Sequence, residues 1–235
     1  MRTGAPAARL DWEAIGRELD ERGHAITPRL LAPDACRAVA RMWGDADRFR
    51  SHIDMARHRF GLGEYRYFAE PLPPVVARLR TWAYARLAPT ANRWTAALGR
   101  DERFPETLPA FTAFCAARGQ RRPTPLLLRY LPGGYNCLHQ DVYGAVAFPL
   151  QLTLLLSRPG VDFTGGEFLL VEQRPRSQSR GRVVPLEQGQ AVIFPNRYRP
   201  EAGTRGTYRV TVRHGVSELR SGERFALGII FHDAE

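Results

Sequence analysis

From residue 124 onward the chain has few ways to fold. Short apolar runs rich in Leu, Val, Ile and Phe follow one another: PLLLRYL, FPLQLTLLL, GEFLLVEQ, GRVVPL, QAVIFP, TYRVTVRHGV and RFALGIIFH. Gly and Pro punctuate them. Seven short strands with turn signals between them predict a sandwich or barrel, not alternating β-α units. No internal repeat is visible.

The first half reads differently. DWEAIGRELDERG (11–23) carries Trp12, Ile15 and Leu19 at helical spacing and stops at Gly23. HAITPRLL reads as a short strand, and APDACRAVARMWG as a second helix with Pro33 and Asp34 at its start. HRFGLGEYRYFAEPLP (58–73) alternates aromatic and polar residues, as a strand pair or extended segment would. Residues 73–99 open with prolines at a helix start, and Pro89 predicts an interruption. PETLPAFTAFCAARGQ predicts a further helix. All four Trp precede residue 95 and are assigned to core. The expectation is α+β: a mainly helical support region over 1–123 and a β-rich core over 124–235, in one integrated domain.

Composition narrows the class. No run of about 18 or more apolar residues exists, so no membrane span is expected. The start, MRTGAPAARLDWEAIGREL, lacks an apolar leader, and the expected compartment is the cytoplasm. Cys36, Cys115 and Cys137 are odd in number and far apart, which fits reduced thiols better than a disulfide framework. No C-x-x-C exists, so a structural zinc site is not expected. Cys137, two residues before His139, is a conceivable extra soft ligand. The formal net charge is +10, and all 34 basic residues are Arg. That excess fits a polyanionic partner such as nucleic acid, or simply a solvated basic surface. The Arg-rich QRPRSQSRGR (173–182) reads as an exposed hairpin tip.

YNCLHQD (135–141) holds the chemistry. If it is extended, His139 and Asp141 point to one face, roughly 7 Å apart along the strand. An imidazole and a carboxylate on one face are two of the three ligands of the facial triad of non-haem Fe(II) oxygenases. A third is available in TYRVTVRHGV, where His214 ends an alternating strand. Arg224 follows ten residues later and starts the next strand, a spacing that would return it beside the strand of His214. Ferrous iron in such chemistry needs open positions for a 2-oxo acid and dioxygen. The far carboxylate of 2-oxoglutarate needs a buried cation, and the planar fork of Arg suits it.

With those residues in order, 124–233 resembles the 2-oxoglutarate/Fe(II)-dependent dioxygenase superfamily. It resembles the prolyl-hydroxylase branch in RYLPGGYNCLHQD, FTGGEFLLVE and RHGVSELRSGERFALGIIFH. The resemblance implies a double-stranded β-helix (jelly roll), with His139, Asp141 and His214 as iron ligands and Arg224 as the 2-oxoglutarate anchor. It further implies that Tyr130 helps hold the same carboxylate. Two positions depart from the branch: TLLLS stands where its middle strand often carries Y-L-N, and Ala226 replaces a serine used by some relatives. The whole chain, including FGLGEYRYF, RPTPLLLRY and HDAE, looks most like a bacterial oxygenase family ascribed to oxidative removal of alkyl damage from DNA. The base-demethylating enzymes best known for that reaction carry a second Arg where Ile230 stands.

The resemblance thus implies an Fe(II)-, 2-oxoglutarate- and dioxygen-dependent hydroxylase. Its substrate would be alkylated nucleic acid or, alternatively, a protein or peptide side chain such as proline. A metal-binding barrel without turnover is the third reading. Arg174, Arg176, Arg180 and Glu167 are candidate substrate contacts, and the NRYRPEAGTRGTYR loop (196–209) could touch phosphates. Glu167 could equally bond a neighbouring backbone. His24, His52, His58 and His232 have no partner at ligand spacing and are assigned to surface or core.

Overall fold

A computed structural model describes residues 10–204 and 206–235. The segment from which no leader was expected falls mostly on residues 1–9, and Arg205 belongs to the basic 196–209 loop; these lie outside the described residues. Among the described residues four α-helices form: α1 (Trp12–Arg22), α2 (Pro33–Arg41), α3 (Pro74–Ala97) and α4 (Leu108–Ala116). The strands of the first half are β1 (Ala25–Ile26), β2 (Phe49–Asp54), β3 (Gly61–Leu62) and β4 (Glu64–Phe68). Those of the second half begin with β5 (Leu126–Tyr130), β6 (Tyr135–His139), β7 (Leu150–Leu155), β8 (Phe163–Gly165) and β9 (Phe168–Gln173). They continue with β10 (Arg180–Val184), β11 (Ala191–Pro195), β12 (Tyr198–Gly203), β13 (Gly206–Val216), β14 (Leu219–Gly222) and β15 (Arg224–Ile229).

All seven apolar runs read from the sequence become strands. They roll into two facing antiparallel sheets, a jelly roll. The larger has the order β1-β11-β7-β15-β5-β4-β2, the smaller β10-β9-β13-β6-β3, with β12 also on β13. β8 and β14 form a separate pair. The larger sheet is covered on both faces, which is why its strands read as unbroken apolar runs. Along β11, Ala191 and Ile193 face the helices while Val192 and Phe194 face the interior between the sheets. Leu152 and Leu154 of β7 and Leu227 and Ile229 of β15 likewise pack outward against α1–α4. The inner side of β5, β7 and β15 is thereby left for other uses.

Helix boundaries follow their caps. The Asp11 side chain accepts from Ala14 N at the start of α1, and Gly23 closes it in the left-handed region. Thr107 caps α4. The interruption predicted at Pro89 does not occur, and α3 runs unbroken through it. Pro89 and Ala85, whose carbonyl loses its helical donor, both face solvent. Water can satisfy that carbonyl, while Tyr84, Leu87, Ala88, Ala91 and Trp94 hold the buried face. β2 was not legible in FRSHID; it exists because β4 pairs it onto the sheet edge.

Phe148 links the helical layer to the sheet. Its ring centroid lies 5.0 Å from those of Tyr84 and Phe104, 5.6 Å from Phe111 and 5.2 Å from Phe231. Phe148→Ala should cost about 3–5 kcal/mol of unfolding free energy, read as a lower midpoint in urea. A change under about 1 kcal/mol would mean that the cluster does not tie the layers together.

Candidate metal centre and its cavity

His139 closes β6, and His214 lies directly opposite it on β13. Their ring centroids are 4.1 Å apart. Asp141 is not on the strand as predicted but in the segment just after it. It still converges: Oδ1 is 3.6 Å from His139 Nε2 and Oδ2 is 3.2 Å from His214 Nε2. One donor atom from each residue falls within 4.8 Å of the others. Three donors each about 2.0–2.2 Å from one ion, at right angles, would sit about 3 Å apart, close to these spacings. Cys137 is exposed and stands outside this group.

The surroundings prepare the donors. Burial alone would raise the Asp141 carboxyl, but the hydrogen bond and charge from His214, with His139 and the Tyr143 hydroxyl, hold it well below the usual carboxylate range. Tyr143 donates to Asp141 Oδ1 at 2.5 Å. Burial, with the Asp141 charge next, pushes the Tyr143 hydroxyl well above its ordinary value, so it stays a donor. Burial and the neighbouring His139 push His214 below its ordinary value, favouring the neutral imidazole that a metal requires. His139 Nδ1 lies 2.7 Å from the Cys137 carbonyl. That contact assigns the ring proton to Nδ1 and leaves Nε2 free to ligate.

Arg224 occupies the opposite wall. It is not beside the strand of His214, as the sequence spacing suggested, but on β15 in the other sheet, paired with Tyr130 of β5. The reason is that β14 takes up the intervening chain to pair with β8, carrying the chain across the roll. Arg224 is 2% exposed and Tyr130 fully buried. Among the described residues, Arg224 Nε and the Tyr130 hydroxyl have no hydrogen-bond partner, although Asn136 stands beside Tyr130. Buried polar groups are seldom left so. Burial lowers the Arg224 pKa, and Tyr130 is pushed up to about 12. The first stays charged and the second neutral, so this wall offers donors only. Gly166, at φ +62°, makes room for it: a Cβ there would lie 3.0 Å from Arg224 Cδ.

A cavity of about 300 Å³ separates the two walls. Leu126, Leu128, Phe168 and Val216 make much of its surface apolar. Sequence reasoning missed Tyr143, Gln151 and Thr153, all of which line it. A signal for the latter two was present: they are the polar residues at alternate positions of FPLQLTLLL. Arg59 and Phe60 also line it, pinned by a bond from Cys137 N to the Phe60 carbonyl at 2.8 Å. Ile230 does as well.

The other candidates lie elsewhere. Arg174, Arg176 and Arg180 sit at the β9–β10 tip and do not line the cavity. Arg174 pairs with Glu201 at 2.8 Å. Glu167 accepts from the Ser217 hydroxyl and faces Arg220 at 3.4 Å. His232 is buried beneath the site, 5.9 Å ring to ring from Tyr143.

Comparison with known proteins agrees with this geometry. The family model for Oxygenase-NA, described as an oxygenase catalysing oxidative methylation of damaged DNA, matches residues 63–234. The chain belongs to that family. An uncharacterized protein of Mycobacterium tuberculosis, found in two strains, is 51% identical over 167 residues, 71% of this chain and 72% of that protein. Among solved structures, a Pseudomonas putida prolyl-4-hydroxylase superposes with a TM-score of 0.56 at 17% identity, covering 95% of this chain and 99% of that one. A Burkholderia pseudomallei oxidoreductase of the 2OG-Fe(II) oxygenase family gives 0.54 at 14%, covering 97% and 93%. At such identities the likeness is one of fold. Membership of Oxygenase-NA sets the non-catalytic barrel aside. Among the described residues, no helix is long and apolar enough to cross a membrane.

Proposed function

We propose that this oxygenase uses Fe(II), 2-oxoglutarate and dioxygen to hydroxylate a C–H bond on alkylated nucleic acid. One observation carries the reading. Three convergent ligand donors face, across one cavity, a buried guanidinium whose Nε and a buried phenol whose hydroxyl have no hydrogen-bond partner among the described residues. The donor set fits a divalent iron, and the partnerless pair fits a carboxylate.

In this reading His139, Asp141 and His214 hold the metal, and Tyr143 fixes which Asp141 oxygen is free to face it. Arg224 and Tyr130 hold the distal carboxylate of 2-oxoglutarate. When bound, the metal and co-substrate supply an oxidation in which 2-oxoglutarate, dioxygen and a substrate C–H become succinate, carbon dioxide and C–OH. The apolar lining excludes water, so donors and charges act at full strength. On an N-methyl group the product is an N-hydroxymethyl compound that releases formaldehyde. We therefore read the family's described activity as removal of a methyl group: oxidation can take one off, whereas adding one requires a methyl donor.

A second reading, hydroxylation of a peptide, is favoured by exposed apolar residues on β3, β6 and their approach: Phe60, Leu62, Tyr135 and Leu138. The edge strand β3 could accept an added strand. We place the protein in the cytoplasm, since Cys36, Cys115 and Cys137 are free thiols. Succinate formation measured with methylated DNA, methylated RNA and peptides side by side tests the proposal. It expects iron-dependent succinate above the substrate-free rate, with formaldehyde, on a methylated nucleic acid. Stimulation by peptides alone would replace it with the second reading.

A further inference from the structure

Tyr198, at the start of β12, is ringed by cations. The Arg197 guanidinium carbon lies 4.6 Å from its ring centroid, that of Arg209 4.5 Å and that of Arg100 5.6 Å. The three come from separate parts of the chain: the bend between β11 and β12, the β13 strand and the turn after α3. All three are exposed. Among the described residues none of them lies within ion-pair distance of a carboxylate. Attraction to the ring face helps hold such cations. Among the described residues no ion pair offsets their mutual repulsion, and an anion bound among them would relieve it.

The cluster adjoins the metal centre. Gln140, between His139 and Asp141, donates from Nε2 to the Val212 carbonyl at 2.8 Å and reaches the Arg197 carbonyl at 3.4 Å. Arg100, Arg197 and Tyr198 also line a depression of about 210 Å³. Alternate residues of the segment after β6 serve the two spaces. Asp141 and Tyr143 face the main cavity, and Val142 and Gly144 line the depression. Glu102 is the one carboxylate lining that depression.

We propose that Arg100, Arg197 and Arg209, gathered on Tyr198, are the phosphodiester subsite that holds a nucleic-acid strand beside the cavity mouth. This rests on the nucleic-acid reading above. It keeps the phosphate contacts suggested for the 196–209 loop, adds Arg100 just after α3, and leaves out the β9–β10 tip. Guanidinium forks suit the paired oxygens of a phosphodiester. Such contacts hold and align a strand without reading its sequence. A base can then turn into the cavity, as enzymes acting on bases require.

The test is fluorescence anisotropy of a labelled, mixed-sequence single-stranded oligonucleotide on the iron-loaded protein, over a series of NaCl concentrations. Arg100, Arg197 and Arg209 are replaced together by Ala in one variant and by Lys in another. The alanine variant should bind at least tenfold more weakly at low salt. Its plot of log affinity against log salt should be shallower by about 2, at about 0.7 per phosphate contact on a single strand. The lysine variant, which keeps the charges, should retain most of the wild-type slope; a slope as shallow as that of the alanine variant would overturn the proposal. An alanine variant with wild-type affinity and slope would overturn the subsite while leaving the proposed function standing. Absence of any oligonucleotide binding by the wild type would overturn both. Displacement of the strand by polyglutamate as readily as by unlabelled oligonucleotide of equal charge would assign the cluster to acidic peptides instead.

Discussion

Asp141→Ala should leave the protein folded and unable to retain iron. The carboxylate supplies one of three donors and the only negative charge among them. Removing it leaves two imidazoles, one already 7% exposed and buried against Phe168 and Phe194. Changing a group that merely orients a ligand costs 10- to 100-fold in metal affinity, so loss of the ligand itself should cost more than about 100-fold. Succinate production should fall to background. Metal content after anaerobic loading and desalting is the direct measurement, and Asp141→Asn serves as a same-shape comparison. A variant that keeps stoichiometric iron and full turnover would disprove the metal assignment, whatever the fold.

The second large effect belongs to Arg224. Arg224→Met keeps most of the side-chain volume and removes the charge. Loss of one partner from a buried, charge-assisted pair costs about 2–5 kcal/mol, so 2-oxoglutarate should bind at least about 30-fold more weakly. Calorimetric titration with Mn(II) in place of iron measures this without turnover. The ligand-free protein should behave in the opposite way. A guanidinium that is 2% exposed, with Nε unpartnered, is a cost to the fold. The methionine variant should therefore melt at the same or a higher temperature, yet gain no stabilisation from added 2-oxoglutarate. A variant that melts lower and still binds the co-substrate normally would make Arg224 a structural residue. The same experiment on Tyr130→Phe should give a smaller shift, because a neutral hydroxyl contributes less than a charged fork.

The two experiments divide the site at the line where sequence reasoning was strong and weak. His139 and Asp141 were legible because they are two residues apart; any extended segment brings such a pair together, and their meeting survives even though β6 ends before Asp141. Tyr143 extends the same spacing one step and was overlooked because the facial triad is built from imidazoles and a carboxylate, not a phenol. Arg224 was found for its chemistry and misplaced in space. Ten residues of chain measure reach and not direction, and the β14–β8 pair that redirects them is too short and too polar to stand out. The charges of the Arg-rich run were legible as charges; that Arg174 is spent on Glu201 was not.

The sequence by itself determined what is periodic or local. Apolar runs of strand length set the rolled sheets, helical spacing set α1 and α2, and the H-x-D pair set two of the three candidate metal donors. Those features depend on backbone geometry that every residue in a strand or helix obeys. The tertiary structure decided what depends on which strands become neighbours: His214 opposite His139, Arg224 across the cavity beside Tyr130, and three distant arginines on one tyrosine. Strand order is selected by burial summed over the whole interior, so no short stretch of sequence encodes it.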